Sequence, residues 1–198
     1  MYKRKIEEVL KIWKKTPNHK PIVIKGVRQC GKTSSVMDFA KKNYRHVVYL
    51  DFREHPEYRN FFIPNLDIPS IILRISATMP DVEIEAKETC FVFDEIQDCP
   101  RARGALKYFY LDGNYEVMCT GSLLGVNGYK TKEELQDESE ASIPVGFEQI
   151  ENMYPMDFEE WLWANNIKPI HLTYLRKCFD EELPVDEAIH QRMRELLH

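Results

Sequence analysis

The chain reads as an α/β protein built on a parallel sheet, and three observations carry that reading. Short runs of β-branched and aromatic residues recur at 22–24, 46–52, 89–93 and 115–119. Amphipathic stretches of helical length lie between them. The first run passes through a glycine loop and a helical stretch into the second within about 30 residues, the length of a crossover between parallel strands.

Taken in order, Ile6, Val9, Leu10 and Trp13 recur at helical spacing among Lys and Glu, so residues 1–16 hold an amphipathic helix that Thr16, Pro17 and Asn18 end. Ile22, Val23 and Ile24 form a strand buried on both faces and stopped by Gly26. A helix over 33–44 carries Val36, Phe39 and Ala40, and residues 46–52 give the second strand. The polar and aromatic stretch 53–67 has no period. A helix over 68–79 starts with Pro69 and Ser70 and is closed by Pro80. The strand 89–93 runs into two acids, Asp94 and Glu95. After Pro100 a helix carries Ala105, Leu106 and Phe109 as far as Gly113, and a fourth strand, 115–119, stops at Thr120, Gly121 and Ser122. Residues 125–141 read as an exposed loop and 143–150, despite Pro144 and Gly146, as a fifth strand at an edge. Asp157 followed three positions later by Glu160 is a capping box opening a helix through Trp161, Leu162 and Ala164. Beyond Pro169 the chain reads as two helices, 171–179 and 185 to the end.

Composition bounds the function. With 198 residues, 43% hydrophobic and 12% aromatic, the chain can bury a core without staples, which excludes a disordered segment. No apolar run of about 18 residues exists to span a membrane, and the seven Lys and Arg among the first 20 residues precede no signal-peptide core. Cys30, Cys90, Cys99, Cys119 and Cys178 are odd in number and form no CxxC pair, which fits reduced thiols and a cytoplasmic location. The net charge of −5 argues against a general affinity for nucleic acid. A basic start and an acidic stretch over 131–160 read as solvated faces, or as an edge for an acidic partner or a phosphate backbone.

The chemistry begins at GVRQCGKT, residues 26–33, which fits G-x-x-x-x-G-K-[ST] between a buried strand and a helix. Such a loop turns its amide hydrogens toward a polyphosphate, with Gly26 and Gly31 free of a Cβ that would block the approach. The helix behind it adds its positive end. Gly26, Arg28, Gln29, Cys30, Gly31, Lys32, Thr33 and Ser34 are the expected nucleotide contacts, Lys32 as the cation for the β and γ phosphates and Thr33 as a Mg²⁺ ligand. The second motif lies 62 residues after Lys32, where the apolar strand delivers Asp94 for the hydrated Mg²⁺ and Glu95 as the base for an attacking water. Ser122, or second Thr120, is expected beside the γ-phosphate if the fourth strand lies between the two motif strands. Gln97 either relays that hydroxyl or caps the following turn. Tyr49, Phe61, Phe62, Trp161 and Trp163 read as core or interface aromatics, Cys30 as a small apolar filler, and the six histidines show no metal spacing.

Arg28 and Gln29 before Gly31-Lys32-Thr33, DEIQ at 94–97 followed by Cys99-Pro100 and Ala105-Leu106-Lys107, TGS at 120–122 and MYPMDFEEWLWA at 153–164 resemble the prokaryotic AAA-type ATPases of AAA domain family fourteen. The resemblance covers most of residues 1–165. It implies a P-loop ATPase with an additional strand and a catalytic glutamate, Mg-ATP hydrolysis, adenine preference, and a carboxyl-terminal domain of undefined function. The expected fold is thus a three-layer α/β P-loop NTPase with strand order 5-1-4-3-2 over residues 1–168, followed by a short helical segment, 169–198, that could begin such a domain.

One departure bears on rate. No arginine occurs from Gly104 to Leu175, where AAA-type enzymes commonly carry an arginine finger, and only Lys130 and Lys132 stand in for it. Because a finger contributes about 10³ to 10⁵ in rate, slow basal hydrolysis is expected. The reading is therefore an ATPase that switches or drives an attached effector or an unidentified protein partner. The rivals are a nucleotide-gated module binding protein or nucleic acid with little hydrolysis, and a small-molecule phosphotransferase, which the arginine-free stretch disfavours. A guanine-specific switch is disfavoured by the lack of an N-K-x-D stretch.

Overall fold

A computed structural model describes residues 2–122 and 146–197. Residues 6–155 form one compact unit, and the first five residues join those from Met156 onward in a second.

The first unit is a five-stranded sheet of β1 (Ile22–Gly26), β2 (His46–Asp51), β3 (Thr89–Asp94), β4 (Glu116–Ser122) and β5 (Gln149–Asn152). Its order is β2-β3-β4-β1-β5 and every pairing is parallel. This is the order expected from the sequence, with β4 inserted between the two motif strands. The helices are α1 (Ile6–Lys15), α2 (Lys32–Asn43), α3 (Ile68–Thr78) and α4 (Pro100–Asp112).

Strand periodicity divides the core. On β3, Phe91 and Phe93 enter the cluster that holds Ile71 and Ile75 of α3 and Leu106 and Phe109 of α4. Cys90 and Val92 enter the other cluster, with Leu10 and Trp13 of α1 and Val36 and Phe39 of α2. Successive side chains leave opposite faces of a strand, so both faces are covered and three layers result. All six β3 residues are buried, which is why the run from Cys90 to Phe93 is apolar, between Thr89 and Asp94.

Three differences from the sequence reading have physical causes. β4 does not stop at Cys119: pairing with β1 continues to Gly26 opposite Ser122, so Thr120, Gly121 and Ser122 are strand residues. The stretch 53–67 contains a 3₁₀ turn, Pro56–Phe62, which packs Phe62 edge-on against Phe52 and Phe93. The fifth strand is the edge strand as expected but begins at Gln149; residues 143–145 lie outside the described residues.

The second unit contains α5 (Phe158–Ala164), α6 (Pro169–Asp180) and α7 (Glu187–Leu197). Asp157 accepts from the Glu160 amide at 2.9 Å and Glu160 accepts in return from the Asp157 amide at 3.1 Å, the capping box read from the sequence. Lys5 pairs with Asp157 at 2.7 Å and with Glu159 at 2.8 Å.

Candidate nucleotide site

The glycine loop leaves the carboxyl end of β1 and enters α2. A Cβ at Gly26 would lie 2.1 Å from the Met153 carbonyl oxygen, so close approach of the backbone after β5 demands glycine there. The positive dihedrals of the loop fall at Gln29 (φ 61) and Gly31 (φ 93). Gly31 also stands at the N-cap of α2, which has no side-chain cap and no acid in its first turn. Among the described residues the leading amides of α2 thus have no side-chain acceptor, and an anion is the ligand such a terminus favours. Lys32, only 6% exposed, curls its ammonium into the loop and donates to the carbonyls of Val27 at 2.8 Å and Gly26 at 3.1 Å. Arg28, Gln29 and Ser34 are exposed on the loop and first turn, whereas Cys30 is buried with its thiol facing the Met153 carbonyl at 3.7 Å.

The tip of β3 meets this loop. Thr33 Oγ1 donates to Asp94 Oδ1 at 3.1 Å, so the glycine loop and the acidic strand face one cleft. Thr120 Oγ1 and the Glu95 amide donate to the same oxygen, and Tyr49 donates its hydroxyl to Asp94 Oδ2 at 2.7 Å. Asp94 is 4% exposed, and no Lys or Arg among the described residues pairs with it. A buried carboxylate without a cationic partner, next to a hydroxyl on the glycine loop, fits a hard divalent cation such as Mg²⁺, which takes oxygen ligands.

Glu95 diverges from Asp94 because its backbone turns left-handed, φ 52, at the start of a short 3₁₀ turn, Ile96–Asp98. Its carboxylate is held by Gln97 Nε2 and by Arg53 Nη2 at 2.9 Å, while Arg53 Nε reaches Asp98 at 3.0 Å. Among the described residues the Gln97 side chain donates to Glu95. Ser122 stands opposite Gly26 at the mouth of the loop, and Thr120, two residues earlier on the same strand face, is the hydroxyl that reaches Asp94. Lys130 and Lys132 lie outside the described residues.

Two residues were missed from sequence. The sequence places Tyr49 among the core or interface aromatics, yet burial and then its hydrogen bond to Asp94 push its phenol far above the ordinary range, so it remains a donor. Arg53 sits in the stretch without a period. The available signal was alternation along β2, which puts Tyr49 and Asp51 on one face, with Asp51 opposite Asp94 in the ladder. Structure also gathers His46, Glu83 and Glu85, their ligand atoms within 4.8 Å of one another, although spacing had shown no such group. Both glutamates are substantially exposed and Arg45 shares Glu85, so this is an ion-paired surface cluster.

A family model described as an AAA domain, number fourteen of that series, matches residues 18–162. The chain belongs to this AAA domain family. Nucleotide binding and hydrolysis are general properties of AAA ATPases. Among solved structures, the Walker-type ATPase PABY2304 of Pyrococcus abyssi is similar at 16% identity and a TM-score of 0.48, over 98% of this chain and 63% of that one. AMPPCP-bound DnaA from Aquifex aeolicus is similar at 13% identity and a TM-score of 0.45, over 93% of this chain and 53% of that one. The chain thus spans less than two thirds of the length of either. No curated protein matches it significantly.

Proposed function

We propose that this AAA domain binds ATP with Mg²⁺ and hydrolyses it slowly, as a switch or motor for an attached effector or a protein partner. The observation that carries the reading is the 3.1 Å contact between Thr33 and Asp94, which joins the uncapped start of α2 to the acidic end of β3. Gly26, Arg28, Gln29, Cys30, Gly31, Lys32, Thr33 and Ser34 line the phosphates, Lys32 withdrawing charge from them. Thr33 and Asp94 would hold Mg²⁺, which supplies charge neutralisation on the phosphate oxygens when bound. Glu95 accepts the proton of the attacking water, and Ser122 stands near the γ-phosphate at the loop mouth. Arg53 engages Glu95 Oε2 at 2.9 Å and competes with an attacking water for that oxygen, which, with the arginine-free stretch, supports slow turnover.

The same Arg53 pair favours a second reading, a nucleotide-gated binding module with little hydrolysis. Substituting Glu95→Gln separates the two. With Glu95 as base, hydrolysis falls about 10² to 10⁴-fold and ATP affinity is kept; in a pure binding module neither changes. Turnover above about 10 per second in the unmodified chain contradicts the slow-hydrolysis reading.

Nucleic acid is a weaker partner on the surface evidence, since Lys11 and Lys42 are neutralised by Glu8 and Asp38. A cytoplasmic location is supported by the five cysteines, which are buried thiols and not disulfides. Among the described residues no helix is long and apolar enough to cross a membrane. The helices from Pro169 onward are the proposed joint to an effector.

A further inference from the structure

Two buried carboxylates stand side by side at the carboxyl edge of the sheet, Asp51 at 8% exposure and Asp94 at 4%, opposite each other in the β2–β3 ladder. No Lys or Arg side chain among the described residues forms an ion pair with either. What lies between them is the Tyr49 hydroxyl, 2.7 Å from Asp94 Oδ2 and 3.4 Å from Asp51 Oδ2. A phenol has one proton to give. It goes to Asp94, while Asp51 Oδ1 is engaged by the amides of Arg53 at 2.8 Å and Glu54 at 2.9 Å.

The acceptor capacity of Asp94 is unevenly used. Among the described residues Oδ1 takes Thr33 Oγ1, Thr120 Oγ1 and the Glu95 amide, whereas Oδ2 takes Tyr49 alone. Thr33, the other residue that would hold Mg²⁺, lies on the Oδ1 side, so Oδ2 is the oxygen the protein holds from β2 and Oδ1 the one presented to the metal. Mg²⁺ demands near-octahedral geometry and keeps several waters, so the direction in which that oxygen is held governs how well its hydrated shell is met.

Resting on the ATP reading above, we propose that Tyr49 is the positioning residue for the metal end of the site: by holding Asp94 Oδ2 from β2, with Asp51 as the second acceptor beside its hydroxyl, it sets the direction in which Asp94 presents Oδ1, on the Thr33 side, to hydrated Mg²⁺. Tyr49 acts through Asp94. The arrangement predicts that its hydroxyl affects metal-dependent binding and leaves the phosphate loop alone.

The test is equilibrium binding of a fluorescent ATP analogue to the full chain, in EDTA and across MgCl₂ and MnCl₂ titrations, with thermal melting of each variant. Tyr49→Phe, which deletes one oxygen, should keep the metal-free affinity of the parent chain and need about 10-fold more Mg²⁺ for half of the metal-induced gain, the lower end of what loss of a ligand-orienting partner costs. Asp51→Asn keeps a carbonyl for the Arg53 and Glu54 amides but removes the second acceptor; a smaller shift, about 3-fold, is expected from one hydrogen bond. An unchanged Mg²⁺ response in Tyr49→Phe overturns the proposal and leaves the ATP reading standing. Equal losses with and without metal assign Tyr49 a merely structural role and overturn it too. If Tyr49→Phe does not fold, Asp51→Asn decides, and a metal response equal to that of the parent chain contradicts the two-acceptor arrangement. Failure of the parent chain to bind the analogue at all would instead remove the ATP reading itself.

Discussion

The starts of α2 and α5 face the same physical problem and meet it in opposite ways. Each helix begins with amides that have no partner inside the helix. At α5 they are satisfied by Asp157, which Glu160 complements and Lys5 holds in an ion pair. At α2 the cap is Gly31, with no side-chain acceptor and no acid in the first turn, and Lys32 and Thr33 follow. α3 resembles α5, with Asp67 accepting from the Ser70 amide at 3.0 Å. The helices that start at Pro100 and Pro169 also lack a side-chain cap, but each opens on a proline, whereas α2 opens on Gly31 with Thr33 beside Asp94. What sets the start of α2 apart is thus the glycine loop and the acidic strand end it meets, which suit an anion and its metal.

The comparison breaks if an acid can be added to α2 without cost to binding. Ser34 is exposed in the first turn. Ser34→Glu should stabilise the fold by about 0.3 to 1 kcal/mol through the helix dipole, yet weaken ATP binding by at least about 10-fold through repulsion of the phosphates. Urea unfolding and nucleotide titration of one variant measure both, and opposite signs are the expected result. The mirror experiment is Asp157→Ala, which should cost about 1 kcal/mol of stability in urea and leave nucleotide affinity unchanged.

The smallest effect is in pH. Bonds from the Glu160 amide first, and then from Lys5, hold the Asp157 carboxyl below the usual 3.8. A carboxyl with a lowered folded pKa contributes stability that is fully present above its unfolded value and lost as pH falls through the folded one. Asp157→Asn caps without titrating, so the stability difference between the parent chain and this variant should be constant above about pH 5 and shrink below about pH 4. A gap that persists into acid would mean that the Asp157 charge adds nothing to its cap.

Much of this was legible in the sequence because it rests on local periodicity. The strand runs, the glycine loop, the acidic strand end and the capping box each occupy a few adjacent residues, and the strand order followed from placing the fourth strand between the motif strands. What was not legible depends on partners far along the chain. Gly26 is required by the Met153 carbonyl, the extension of β4 by its ladder with β1, and Arg53 by Glu95 and Asp98 across a strand boundary. The turn at Pro56–Phe62 is too short and too tightly wound for a helical period to show. Tyr49 was hidden by its own chemistry: an aromatic residue in a strand reads as packing, and only its para oxygen, placed next to Asp94 by the register of β2 on β3, gives it another role.

The central claim is that Thr33 and Asp94 serve one metal-bound triphosphate. A double-mutant cycle tests it most directly, with the Mg²⁺-dependent gain in ATP affinity measured for the parent chain, Thr33→Ala, Asp94→Asn and the pair. Groups that share an ion should be strongly coupled, so the double variant should lose scarcely more of that gain than Asp94→Asn alone. Losses that simply add, or a gain that neither substitution alters, would show that the two residues do not meet at a common metal.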